Sequence, residues 1–144
     1  MKLSVLALSI LLLSSGTTIA QIQDTTELDN TSMQSSHFLK QQVRSSNSVG
    51  RAMRTVLDRY PENTAELVQI ALDAYPDKYR EIVSAAVSSQ PAYIDDILEL
   101  AIERNVAPAT ELVKLAINAE PSYAEYATEA ACKFSPDHFN VIVN

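Results

Sequence analysis

The chain has 144 residues, a net charge of −7, 2 Gly, 2 His, 1 Cys and no Trp. That length fits one domain and excludes a large multidomain enzyme. Two glycines leave no Gly-rich phosphate loop, one cysteine leaves no intrachain disulfide framework, and two histidines give zinc sites or His-dependent triads little to draw on. Eighteen carboxylates against 11 cations argue against a nucleic-acid partner.

Residues 1–20 read as a cleaved signal peptide. Lys2 gives a positive start, Leu3 to Leu13 is an almost unbroken apolar run, and Thr18-Ile19-Ala20 places small residues where a signal peptidase cuts. The run is too short to cross a hydrocarbon core of about 30 Å as a retained anchor. No later segment is apolar enough for a transmembrane helix. Removing Lys2 with the signal takes the net charge from −7 to −8. The expected location is periplasmic or extracellular. An unpaired Cys132 there contributes no disulfide, so stability must come from packing.

Residues 21–48 are dominated by Gln, Asp, Thr, Ser and Asn and read as a polar, disordered linker. Within it, a short helix from Met33 to Val43 would let Phe38, Leu39 and Val43 dock one turn onto the domain that follows.

From residue 49 to 144 the pattern changes to a helical-repeat domain. Prolines fall at 61, 76, 91, 108, 121 and 136, and all but Pro108 lie on a strict 15-residue grid, with Val106 at the vacant point. The columns between them agree. The eleventh is Ala71, Ala86, Ala101, Ala116 and Ala131; the sixth is Glu66, Glu81, Asp96 and Glu111 before becoming Tyr126. The segment before Pro61 fits as a degenerate first unit. Internal repetition is the strongest signal in the chain.

Apolar columns 4, 7, 8, 11 and 12 have the spacing of one α-helical face, and columns 2, 6, 9 and 13 are polar. Proline suits the first helical turn, where its missing N–H costs no bond. It also disfavours helix in the residue before it, so each grid point stops one helix and starts the next. One helix of about eleven residues cannot bury enough apolar area to offset its ordering entropy, so the helices must stack. The expected fold is all-α: a small α-solenoid of six or seven short antiparallel helices, its hand not fixed by the sequence.

No catalytic, cofactor-binding or metal site is expected, and no cofactor. Asp95, Glu99 and Glu103 share a helix face with Asp96 beside them; they read as a solvated face, with cation binding as the sharper alternative. Cys132 sits in an apolar column and reads as a small hydrophobe, and its closeness in sequence to His138 matches no catalytic signature. No serine lies in a G-x-S-x-G elbow. Tyr60, Tyr75, Tyr79, Tyr93 and Tyr123 fall near helix starts, with Tyr126 in the acidic column. They form either an aromatic strip for a peptide or glycan, or rings that seal the ends of the core. The closing residues Phe139, Val141, Ile142 and Val143 either fold back onto the previous unit or dock another chain.

Over residues 46–144 the units resemble the short helical repeats, of the type P-x-x-x-x-E-I-V-x-x-A-V, of exported bacterial proteins with unassigned function. The resemblance implies an architecture and brings no catalytic residues with it. The expected function is an exported, non-catalytic binding or scaffold module with a protein or glycan partner; a self-associating structural or assembly subunit is the alternative. The shifted Pro108 departs from the repeat and leaves its local turn open.

Overall fold

The computed structural model describes residues 34–136, and among them every regular element is helical. The first helix, α1, occupies 34–46. It is followed by α2 (Val49–Arg59), α3 (Thr64–Ala74), α4 (Tyr79–Ser89), α5 (Ile94–Glu103), α6 (Ala109–Ala119) and α7 (Ala124–Phe134). The expected signal peptide over 1–20 lies outside the described residues, as do residues 137–144. No helix among the described residues is long and apolar enough to cross a membrane.

Helix α1 corrects the expected linker over residues 34–46. Leu39 is fully buried, and Phe38 and Val43 pack against the core, as the docking turn requires. Phe38 also meets the Tyr60 ring edge-on at 6.0 Å. A polar helix with so few apolar residues gains little from its own propensity, so the tertiary contact is what holds it.

The connections follow from proline. Pro61–Asn63, Pro76–Lys78, Pro91–Tyr93 and Pro121–Tyr123 each form one 3₁₀ turn leading into the next α-helix. The residue before each proline leaves the helical region, with φ between −132° and −146° and ψ between 59° and 89°. Its N–H still donates to the carbonyl four residues back, as Tyr75 does to Ala71 at 2.8 Å, while its own carbonyl accepts from the third residue of the 3₁₀ turn. Both backbone groups are thereby satisfied at the point where the helix stops. Column 4 helps at one turn: Thr64 is fully buried, and its hydroxyl donates to the Pro61 carbonyl at 2.7 Å.

The α5–α6 connection, where the grid proline is missing, is built differently. Asn105 adopts φ 50°, its N–H donates to Ile102 O, and Val106 N–H donates to Ala101 O. This is a Schellman end, with asparagine taking the left-handed position and half-buried Val106 making the accompanying apolar contact. Pro108 then serves as the N-cap of α6.

The core follows most of the apolar columns, though the twelfth is buried only at Leu72 and Val87, with Ile102, Ile117 and Cys132 half-buried. All five column-11 alanines are fully buried, together with Ile82, Val83, Ile97, Leu98 and Leu112. The degenerate first unit contributes Val49, Ala52, Met53, Val56 and Leu57, all buried. Each helix from α2 onward packs against the next, and also against the next but one: α2 on α4, α4 on α6, α3 on α5, and α5 on α7.

Polar bonds repeat that next-but-one spacing. Ser48 Oγ and Gly50 N–H donate to Glu81 Oε2 at 3.2 Å, joining the starts of α2 and α4. Tyr79 and Arg80 reach Glu111, joining the starts of α4 and α6. Arg104 reaches Asp73 at 2.6 Å, joining the ends of α5 and α3. Gln90 donates to the Leu57 carbonyl. Each of these bonds spans 31 to 33 residues, close to two grid units. Gly50 allows the closest of these approaches: a Cβ there would lie 3.3 Å from both the Cβ and the carbonyl oxygen of Glu81.

Candidate functional site

The tyrosines do not form one exposed strip. Tyr75, Tyr79, Tyr93 and Tyr123 are half-buried and pack against the core, on three separate connections. Tyr60 and Tyr126 are the large exposed hydrophobics, at 40% and 56% exposure. Among the described residues only Tyr123 and Tyr126 bring two tyrosine rings together, tilted at 5.5 Å. The pair sits at the start of α7, where column 6 has exchanged its acid for an aromatic ring. Phe139, Val141, Ile142 and Val143, the other expected contact residues, lie outside the described residues, as does His138.

The most strongly coupled polar group is Tyr79–Arg80–Glu111. The Tyr79 hydroxyl donates to Glu111 Oε1 at 2.6 Å, and Arg80 donates to the same oxygen through Nε at 2.9 Å and a terminal nitrogen at 2.6 Å. These donors hold the Glu111 carboxyl below its usual range, the Tyr79 bond being the larger cause. The same bond raises the Tyr79 phenol, because losing its proton would lose the bond. The Arg80 guanidinium also lies 5.2 Å from the centre of the Tyr79 ring. All three donors converge on one carboxylate oxygen, Oε1, and so join the start of α4 to that of α6.

The remaining candidates are dispersed. Asp95, Asp96 and Glu103 are exposed and Glu99 is half-buried, and no group of three or more metal-ligating side chains converges among the described residues. Cys132 is half-buried on α7 and free.

Two concave surfaces were not anticipated from the sequence. A cavity of about 340 Å³ opens between α1, α2 and the Pro61 turn, walled by Phe38, Val56, Tyr60 and Leu67, with Gln34 and Asn63 on its rim. Asn63 donates to Glu66 Oε2, while Glu66 Oε1 is buried with no hydrogen-bond partner. A wider groove of about 600 Å³ lies between the α1–α2 turn and the Pro76 turn, lined by Arg44, Asn47, Tyr75, Asp77, Lys78 and Glu81 among others. Both depend on α1. The signal missed in the sequence was the run of Lys40, Arg44, Arg51, Arg54 and Arg59, which gives residues 34–60 a basic surface inside an acidic chain.

Comparison with protein-family models, with curated proteins and with solved structures finds no match.

Proposed function

We propose that this protein is an exported, non-catalytic scaffold: a small α-solenoid of antiparallel helices whose outer surface binds a protein partner. The observation that carries the reading is the register of its polar joints. Bonds spaced 31 to 33 residues apart tie the start of α2 to that of α4 and the start of α4 to that of α6. A chain stitched at this interval is a stack of helix pairs, and a stack presents a long, regular surface instead of a single pocket. The repeat of exported helical proteins that the chain resembles points the same way.

The contact surface belongs around Tyr123 and Tyr126, where an aromatic pair places Tyr126 in the column that supplies the joint-forming acids Glu81 and Glu111 of other units. Exposed tyrosine supplies a large amphipathic area at low entropic cost, which is the usual chemistry of a protein contact. Export follows from cleavage after Ala20, which leaves a chain beginning at Gln21.

The test places a photo-crosslinking phenylalanine analogue at position 126, and at Lys114 as a control, in the full chain expressed in its own host. A discrete protein adduct from position 126 and none from 114 is the expected result. Equal labelling from both positions, or none, removes the surface. Mass spectrometry of the secreted or periplasmic fraction tests export, with Gln21 expected as the first residue.

A further inference from the structure

The cations of this chain are distributed unevenly over the fold. Residues 34–60 carry five Lys and Arg against Asp58 alone, a net +4; residues 61–136 carry 13 Asp and Glu against 5 Lys and Arg, a net −8. The five N-terminal cations, Lys40 and Arg44 on α1 and Arg51, Arg54 and Arg59 on α2, are all exposed, and none is in an ion pair among the described residues. Beyond residue 60 the balance reverses: three of the five cations, Lys78, Arg80 and Arg104, are each paired with a carboxylate. The unpaired charges there are mostly acidic: Asp95, Asp96 and Glu103 of α5 and Glu125 and Glu129 of α7 are exposed and outside any ion pair among the described residues, against Lys114 of α6 and Lys133 of α7, the latter over the Phe134 ring.

The two sets lie apart in the fold. Helix α2 packs on α3 and α4, whereas α7 packs on α5 and α6. Within the chain, joints between next-but-one helices close a cation onto a carboxylate, as Arg80 does on Glu111 and Arg104 on Asp73. One region therefore displays the cationic half of such a joint and the other displays the acidic half.

We infer that the basic surface of α1 and α2 docks the acidic surface of α5 and α7 of a second copy of this chain. The contact is heterologous, so a pair keeps one unused surface of each kind, basic on one copy and acidic on the other, and association continues head to tail. At close range a second copy meets the basic surface with its own acidic complement. Glu125 and Glu129 flank Tyr126 on α7, so the test leaves both tyrosines and α7 unchanged and its failure is distinguishable from failure of the proposed partner site there.

The test is sedimentation velocity on the full mature chain, in low salt and in about 0.5 M salt, where charges more than about 4–5 Å apart are screened. The expected result is a mass that rises with concentration in low salt and an apparent Kd at least roughly tenfold weaker in high salt. Two triple variants, K40E/R51E/R54E and D95K/D96K/E103K, change exposed side chains only, and circular dichroism checks that each remains helical. Each variant alone is expected to be monomeric, because it carries two surfaces of one sign. Mixed together they are expected to associate, because each supplies what the other lacks. The milder pair R51Q/R54Q serves if a triple variant unfolds, with the self-association constant expected to fall at least threefold. A wild-type chain that is monomeric at every concentration in low salt overturns the inference. So does association that both triple variants retain, or a mixture that stays monomeric. Binding of the monomeric wild type to phosphatidylglycerol vesicles, lost in K40E/R51E/R54E, also overturns it and assigns the basic surface to an anionic lipid.

Discussion

At the scale of single residues, Glu111 and Asn105 do work that their columns alone do not reveal. Glu111 accepts from Tyr79 and Arg80, and those bonds lower its carboxyl. A carboxyl depressed in the folded chain stabilises it fully above the ordinary carboxylate range, near pH 4.3, and loses that contribution as pH falls through the folded value. Tyr79 has the opposite sign: its raised phenol stabilises the fold below about pH 10, and the contribution is lost as pH rises through the folded value. Thermal melts of wild type and Glu111→Gln are therefore expected to differ most between about pH 5 and pH 9 and to converge beyond both limits. A pH-independent difference would show that charge at Glu111 is irrelevant. Asn105 holds φ 50° at the end of α5, a conformation that glycine adopts freely and a β-branched residue resists. Asn105→Gly is expected to be neutral within about 0.5 kcal/mol, and Asn105→Val to cost about 1–2 kcal/mol, read from urea midpoints. Equal midpoints for the two variants would contradict the left-handed assignment.

At the scale of the element, the eleventh column decides how closely helices approach. Ala86 and Ala101 are fully buried, so a leucine at either position has no volume to enter. Ala86→Leu is expected to cost about 1–3 kcal/mol through overpacking, whereas Ala74→Leu, on an exposed position of α3, changes stability by less than about 0.5 kcal/mol. Urea unfolding distinguishes them, and a similar cost at both sites would mean that the alanine column is not a contact. This column was legible beforehand because burial and spacing are both local properties of a helix face. The proline turns were legible too, though the 3₁₀ geometry before each helix was not, since Pro at a helix start is compatible with either. Two elements are only partly legible, for opposite reasons: the sequence supports one docking turn inside a linker over Met33 to Val43, and it leaves the α5–α6 turn open. In α1, Leu39 and its neighbours are too few to show a period, and the helix depends on a surface formed by residues far along the chain. Between α5 and α6, the displaced Pro108 drew attention away from Asn105, whose place just after the last helical turn was the usable signal.

At the scale of the molecule, the net charge of −7 concealed a basic N-terminal surface and an acidic remainder, because a sum carries no positions. On the folded chain the two separate, with exposed cations on α1 and α2 and exposed carboxylates on α5 and α7. The core is uneven too. Helix α4 contacts α2, α3, α5 and α6 and buries Ile82, Val83 and Val87 completely, whereas α7 contacts α5 and α6 and its buried residues are three alanines. Where helices pack chiefly on their next and next-but-one neighbours, stability is largely a sum of local interfaces, so it is expected to be graded along the chain. Hydrogen exchange by mass spectrometry is expected to find the slowest amides in α4 and earlier exchange in α7. Ile82→Ala is then expected to cost about 2–5 kcal/mol, through the transfer and cavity terms, and to speed exchange in α2, α4 and α6 together. Ala127→Gly, at about 1 kcal/mol, is expected to speed exchange in α7 while leaving α4 almost unchanged. Uniform protection from α3 to α7, or a loss in α4 matching that in α7 for the second variant, would instead mean that the helices open as one cooperative unit.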